Sequence, residues 1–166
     1  KSQARKEIGK RHRSVTPPLP VWIRSDNPFI LRQKFPFLPE RIVINLSGEA
    51  FNRFLRMKRT GPLFRRIVWA LPPIIDEDRL PFFQERITSL IDMGFRDWQI
   101  AHYSQISLFE GLGCRLFGDH SLNLLNSLAL RVNGERGLRG SLISIETDRE
   151  NLAAICRQEG ELAKGM

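Results

Sequence analysis

Apolar and polar positions along the chain follow two alternating rhythms. Short runs rich in β-branched and aromatic residues read as strands, and the stretches between them carry apolar residues at helical spacing. Residues 21–24 are an apolar run ended by the turn formers Ser25, Asp26, Asn27 and Pro28. Residues 41–46 make a stronger strand, because Ile42, Val43 and Ile44 suit a pleated sheet. Ser47 is placed to cap a helix that starts at Gly48 and buries Phe51, Phe54 and Leu55; Gly61-Pro62 stops it. The pattern then repeats with a strand at 66–71 closed by Pro72-Pro73. Its helix opens on Asp76-Glu77-Asp78, where the macrodipole favours acids, and buries Leu80, Phe83, Ile87, Leu90 and Ile91 before Gly94.

Further strands are expected at 97–101, 114–118 and 138–145, with a short helix at 105–110 and longer ones at 121–132 and 149–164. Asp148 would cap the last, turning Leu152, Ala153, Ile155 and Cys156 inward. Strand and helix alternate with a period of about 25 residues, the signature of βα units and a parallel sheet. About six units are countable, two short of an eight-stranded barrel. The expected fold is therefore α/β, a partial TIM-like barrel over residues 21–166, with a small open doubly wound sheet as the alternative. Neither GxGxxG after a strand nor a Walker lysine occurs, which lowers the weight of the common nucleotide-binding folds.

Charge changes the picture at two places. Lys and Arg total 26 against 18 Asp and Glu, a net +8, and residues 1–13 alone hold six bases and one acid. Residues 1–20 read as a basic flexible arm with a Pro-rich connector. A second basic cluster comprises Arg53, Arg56, Lys58, Arg59, Arg65 and Arg66, with no acid between Glu49 and Asp76. Clustered bases attract polyanions, so RNA is a candidate partner; a solvated helix face is the plain alternative. No apolar run reaches the roughly 18–20 residues needed to span a bilayer, and the first 15 positions lack a signal-peptide core. A cytoplasmic location without membrane attachment is the expectation. Cys114 and Cys156 form no CxxC pair, so they read as buried or half-buried thiols and no metal site is expected.

In parallel α/β folds ligands meet the carboxyl ends of the strands. The residues expected there are Asn45, Pro72, Pro73, His102, Tyr103, Asp119, His120 and Glu146, with Asn123 and Asn126 at the start of a helix. Two histidines and two carboxylates on one rim are the residue types of acid–base chemistry. Each also has a structural alternative: Asp119 as a helix cap, His102 as a satisfied loop residue, Asn126 bonded to a strand end, Glu146 paired with an arginine. No GxSxG, HExxH or recognisable Cys–His motif occurs.

The segment Phe117-Gly118-Asp119-His120-Ser121-Leu122-Asn123-Leu124-Leu125-Asn126-Ser127 resembles a hallmark of the collagenase-like peptidases, the family of unassigned catalytic type called U-thirty-two. Members tend to read Asp, an aromatic, Ser-Leu-Asn, two apolar positions and Asn-Ser; here His120 holds the aromatic position. Residues 142–146 resemble the family's Leu-Ser-Pro-Glu strand end, with Ile145 in place of Pro. The likeness runs from about residue 40 to 156 and also takes in the strand end at 68–73 and Gly94-Phe95. It implies a barrel-like domain and a peptide-bond hydrolase acting on protein or peptide. Glu146, His102 and Asp119 would then be the catalytic candidates, and His120, Asn123 and Asn126 the substrate-binding ones. Some members instead serve oxygen-independent hydroxylation of RNA or quinone precursors and hold an iron–sulfur cluster. The family's Glu-Phe and paired-cysteine signature would follow Met166, so the resemblance implies an excerpt, with the cluster belonging to a longer parent and not to Cys114 or Cys156. A barrel scaffold without chemistry is the third reading.

Overall fold

The structure, a computed structural model, describes residues 20–58 and 61–162. The basic arm through residue 19 and Arg59 lie outside the described residues. Six strands, β1 (Trp22–Ser25), β2 (Arg41–Asn45), β3 (Ile67–Ala70), β4 (Asp97–Ile100), β5 (Arg115–Gly118) and β6 (Leu138–Ser141), form one sheet in sequence order. Every neighbouring pair is parallel. Helices α1 (Gly48–Leu55), α2 (Leu80–Asp92), α3 (Ser127–Glu135) and α4 (Arg149–Leu162) alternate with them. The α/β class and the βα repeat thus hold. A doubly wound sheet reverses its strand order at a switch point; this order never reverses, which is the winding of a barrel.

Period-2 alternation divides the strand side chains between two faces. Ile42, Ile44, Ile67, Trp69, Trp98, Ile100, Leu116 and Leu138 pack with Phe51 and Phe54 of α1 and Phe83, Ile87 and Leu90 of α2 in the main core. Val43, Val68 and Ala70 form a second cluster on the other face, joined by Trp22 and Phe117. The latter two show that the sheet curls. Strands β1 and β5 are four inter-strand steps apart, about 19 Å in a flat sheet. Yet the Trp22 and Phe117 rings meet edge to face with centroids 5.3 Å apart. In an eight-stranded barrel the first and fifth strands face each other across the axis, so the curvature matches that geometry.

At the amino-terminal ends of the strands, buried Asp97 binds two arginines. Arg41 Nη1 approaches it to 3.0 Å and Arg115 Nε to 2.5 Å, tying β2, β4 and β5 together.

Several local expectations are corrected. Leu55 is 47% exposed, because α1 ends there after Phe54 has filled the core position. The segment expected as one helix from 121 to 132 is three pieces. A 3₁₀ turn at His120–Leu122 ends on Asn123 in the left-handed region (φ 52°), Leu124 bridges to Ile143, and α3 starts only at Ser127. The strand expected to run to 145 keeps regular pairing only to Ser141, and the helix expected at 105–110 is a 3₁₀ segment, Tyr103–Phe109. In α4 Ile155 is buried, whereas Leu152, Ala153 and Cys156 are exposed. The helix packs against α3, and Ile155 faces the pocket bordered by Trp22 and Phe117. The Asp148 cap forms as expected, accepting from Asn151 N–H at 2.8 Å.

Candidate functional site

Three strand ends converge at the carboxyl edge of the sheet. Trp22 and Arg24 lie two residues apart on the concave face of β1, so Arg24 stands above the Trp22–Phe117 contact. Asp119 follows β5 in extended conformation, and its N–H continues the ladder to Ile100 O at 2.8 Å. The Arg24 guanidinium donates from Nη1 to Asp119 Oδ2 at 2.6 Å and from Nε to Asn45 Oδ1 at 2.8 Å. Asn45 Nδ2 in turn donates to Asp26 Oδ1 at 2.5 Å. The other oxygen of Asp119, Oδ1, lies close to His120 Nδ1 but is buried without a hydrogen-bond partner.

Burial separates the roles in this group. The Asp119 side chain is 2% exposed, that of Arg24 36% and that of His120 57%. A buried carboxylate is costly to leave uncompensated, and here Arg24 supplies its hydrogen-bonded cation. With Nδ1 turned to Asp119, His120 presents Nε2 outward, and that atom has no hydrogen bond among the described residues. A carboxylate behind one ring nitrogen with the other nitrogen free is the arrangement that orients a histidine for proton transfer.

The remaining rim candidates are placed elsewhere or carry local duties. His102 caps the 3₁₀ segment Tyr103–Phe109: its Nδ1 accepts from Ser104 N–H at 3.2 Å and meets Ser104 Oγ at 2.8 Å. Gln105 completes a capping box there and donates to Pro72 O at 2.8 Å. His102 borders a groove of about 560 Å³ with Pro73, Ile74 and Ser107, which shares no residue with the Asp119 group. Tyr103 Oη donates to Asn133 Oδ1 at 2.6 Å, and buried Asn133 donates onward to Ser141 Oγ at 3.0 Å. Asn126 caps α3 by accepting from Ala129 N–H at 3.0 Å, and Asn123 makes the left-handed turn. Glu146 is exposed, its backbone N–H bonded to Ser144 Oγ at 3.3 Å, and its carboxylate pairs with no arginine among the described residues. Neither His102 nor Glu146 bonds to Asp119 or His120.

The structure thus brings Asn45, Asp119 and His120 together and adds Arg24 and Asp26. The sequence signal for Arg24 was its period-2 spacing from Trp22, but nothing local indicated the partner across the sheet.

A pocket of about 760 Å³ lies against β1, β5, β6 and α4, walled by Trp22, Phe117, Gly118, Leu142 and Ile155, and shares no residue with the Asp119 group. Gln99 of β4 faces it, level with Phe117 in the register. Gln99 is 1% exposed, and its Oε1 has no hydrogen-bond partner. Cys156 lies at the same pocket and is exposed, against the expectation of a buried thiol, because its position on α4 faces away from the core. Cys114 is half-buried, and burial pushes its thiol up from the ordinary range.

The basic cluster occupies the opposite end of the sheet, around the loops that enter β3. Arg53 pairs with Glu49 on α1, and Arg66 donates to the Pro39 and Glu40 carbonyls at 3.1 and 3.2 Å. Arg56, Lys58 and Arg65 are exposed. Arg65 borders two adjoining grooves that also hold Arg41, Arg66, Arg96 and Arg115. Among the described residues no three His, Cys, Asp or Glu side chains converge to hold a metal ion, and no helix is long and apolar enough to cross a membrane. No protein-family model, curated protein or solved structure matches this chain.

Proposed function

We propose that this domain carries the acid–base site of a peptide-bond hydrolase of the kind its resemblance to the collagenase-like peptidases implies. The observation that supports this reading is the buried Asp119 carboxylate, held by Arg24 with the His120 ring beside it, at the strand carboxyl ends. In the proposed reaction His120 Nε2 takes a proton from water as the water attacks the scissile carbonyl. The imidazolium that forms is stabilised by Asp119 and returns the proton to the leaving amine. Arg24 fixes the carboxylate and, being partly exposed, offers positive charge beside the tetrahedral oxyanion. His120 and Asp119 thereby take the roles that the sequence spread over His102 and Glu146.

The test is turnover of fluorescein-labelled gelatin or casein. Removing a positioned general base costs about 10²–10⁴-fold. His120→Gln and Asp119→Asn should each lower kcat by at least about 100-fold with an unchanged circular dichroism spectrum, whereas His102→Gln should retain activity. Equal turnover in His120→Gln overturns the assignment.

A second reading is favoured by the exposed Arg56, Lys58 and Arg65 at the strand amino-terminal end. These bases fit phosphate contact by an RNA-directed member of the same family, and their distance in the fold from the rim leaves the two readings separately testable.

A further inference from the structure

A break in the register of the sheet sets two unlike residues side by side at the pocket between β1, β5, β6 and α4. Neighbouring residues of a regular strand point to opposite faces. In the β5–β6 pair Leu116 lies opposite Leu138 but Phe117 lies opposite Gly140, so the ladder steps over Arg139 as an extra residue. A bulge of this kind re-aims side chains. Here it lets Arg139 and Gly140 both line the pocket instead of falling on opposite sides of the sheet.

Each of the two supplies something a ligand needs. Gly140 has no positive φ, so its backbone conformation does not demand glycine. What glycine provides is room: a Cβ there would meet only Phe117 Cδ1, at 3.8 Å, and a longer side chain would extend into the pocket. Arg139 is exposed, and it is the one charged residue among the described residues that line the pocket. Its guanidinium pairs with no carboxylate among the described residues. The Trp22 and Phe117 rings, with Leu142 and Ile155, make the apolar wall beside it. The volume of about 760 Å³ falls within the roughly 300–1,000 Å³ of small-molecule sites.

An apolar wall with a single cation selects charge as well as shape. One arginine balances one negative charge, and its planar fork bonds a carboxylate through two N–H groups. A phosphate monoester carries about −1.5 to −2 at neutral pH, and no second base at the pocket offsets the excess. Ring walls favour a flat aromatic body through offset and edge-to-face contacts. We propose that this pocket binds an aromatic monocarboxylate, with its ring against Trp22 and Phe117 in the space that Gly140 leaves and its carboxylate on Arg139. Because Ile155 belongs to α4, the ligand also ties that helix to the sheet. The pocket shares no residue with the Asp119 group, so the proposal stands independently of the hydrolase reading.

The test is isothermal titration calorimetry with cinnamate and with cinnamamide, its neutral counterpart of the same shape. Cinnamate should bind about tenfold more tightly than the amide, the effect of a charged hydrogen bond at a partly exposed site. Arg139→Gln should bring the two probes to within about twofold of each other. Gly140→Ile should abolish binding of both and keep the wild-type circular dichroism spectrum. Cys156, exposed at the same pocket, reports occupancy with the pocket residues intact. In a Cys114→Ser background, cinnamate at about ten times its Kd should slow alkylation of Cys156 by iodoacetamide about tenfold, as the unoccupied fraction falls. That arm decides the matter if Gly140→Ile does not fold. No binding by the wild type, equal affinity for acid and amide, a preference for the acid that survives Arg139→Gln, binding by a folded Gly140→Ile, or unchanged alkylation of Cys156 overturns the proposal.

Discussion

Replacing Arg24 by Met strips the Asp119 carboxylate of its cation while keeping most of the side chain's length. At 2.6 Å and an effective dielectric of about 20, the gross attraction between the pair is roughly 6 kcal/mol. Taking the carboxylate out of water offsets several kcal/mol of that, so the intact pair contributes little net stability. The two halves of the pair nevertheless respond unequally. Loss of Arg24 leaves a charge that is 2% exposed and cannot rehydrate; breaking such a pair costs about 3–5 kcal/mol when both partners are buried. Arg24 is 36% exposed, which scales the expected cost of Arg24→Met to about 2–3 kcal/mol. Asp119→Asn keeps an acceptor for the guanidinium, and the freed arginine turns to water, so its cost is about 1 kcal/mol. In a chain of this size each kcal/mol moves the melting temperature by about 2–4 °C. Arg24→Met should therefore melt roughly 4–12 °C below the wild type and Asp119→Asn only about 2–4 °C below. The double variant should recover part of the Arg24→Met loss, because it no longer buries an unpaired charge. The assay is thermal denaturation of all four proteins followed by circular dichroism. An Arg24→Met protein as stable as Asp119→Asn, or a double variant whose losses simply add, would refute the claim that Asp119 is a buried anion held by Arg24.

The other two predictions concern opposite ends of the sheet. At Gly118 an added Cβ would collide with Ser141 Oγ and come within 2.8 Å of Leu122 Cδ1, so Gly118→Ala should force β5 and β6 apart. A loss of about 1–3 kcal/mol is expected, with weaker amide-exchange protection in β6; unchanged protection would show that the strands have room. For the basic end, fluorescent structured RNA should bind with an affinity that falls steeply between roughly 50 and 200 mM salt. Arg65→Ala and Lys58→Ala should each lessen the salt slope by about one ion, and a slope unaffected by both substitutions would remove that end as the phosphate contact.

Legibility in the sequence tracked the range of the interactions involved. Strands β2, β3 and β4 were readable to within a residue or two because Ile42–Ile44, Ile67–Trp69 and Trp98–Ile100 carry their own burial signal. Ser47 and Asp148 were readable as caps because a cap acts within three residues. The run 121–132 misled because its apolar spacing suits one helix, while Asn123 takes a left-handed turn and Leu124 bridges to Ile143, a residue beyond the strand that follows. At the site, Asn45, Asp119 and His120 were foreseeable as strand-end residues. Arg24 was not, since its partner lies 95 positions away and is reached only because the sheet curls. Gln99 escaped notice for the opposite reason. Inside the apolar run Trp98–Ile100 a lone amide looks like a tolerated exception until its missing partner is seen.

The order in which strands pair also bears on how the domain comes to be made. Because each strand joins the one that follows it in sequence, the sheet can grow one unit at a time as the chain leaves the ribosome, and every early step closes a short loop. The Arg24–Asp119 clasp and the Trp22–Phe117 contact cannot form until the fifth strand has been added. A nascent or broken-off piece ending before that point can hold its helices against its strands, yet it has neither the charged rim nor the ring contact that brings β1 to β5. For a domain whose proposed activity is to cut polypeptide, that timing keeps the cutting site unassembled until the fifth strand has joined the sheet.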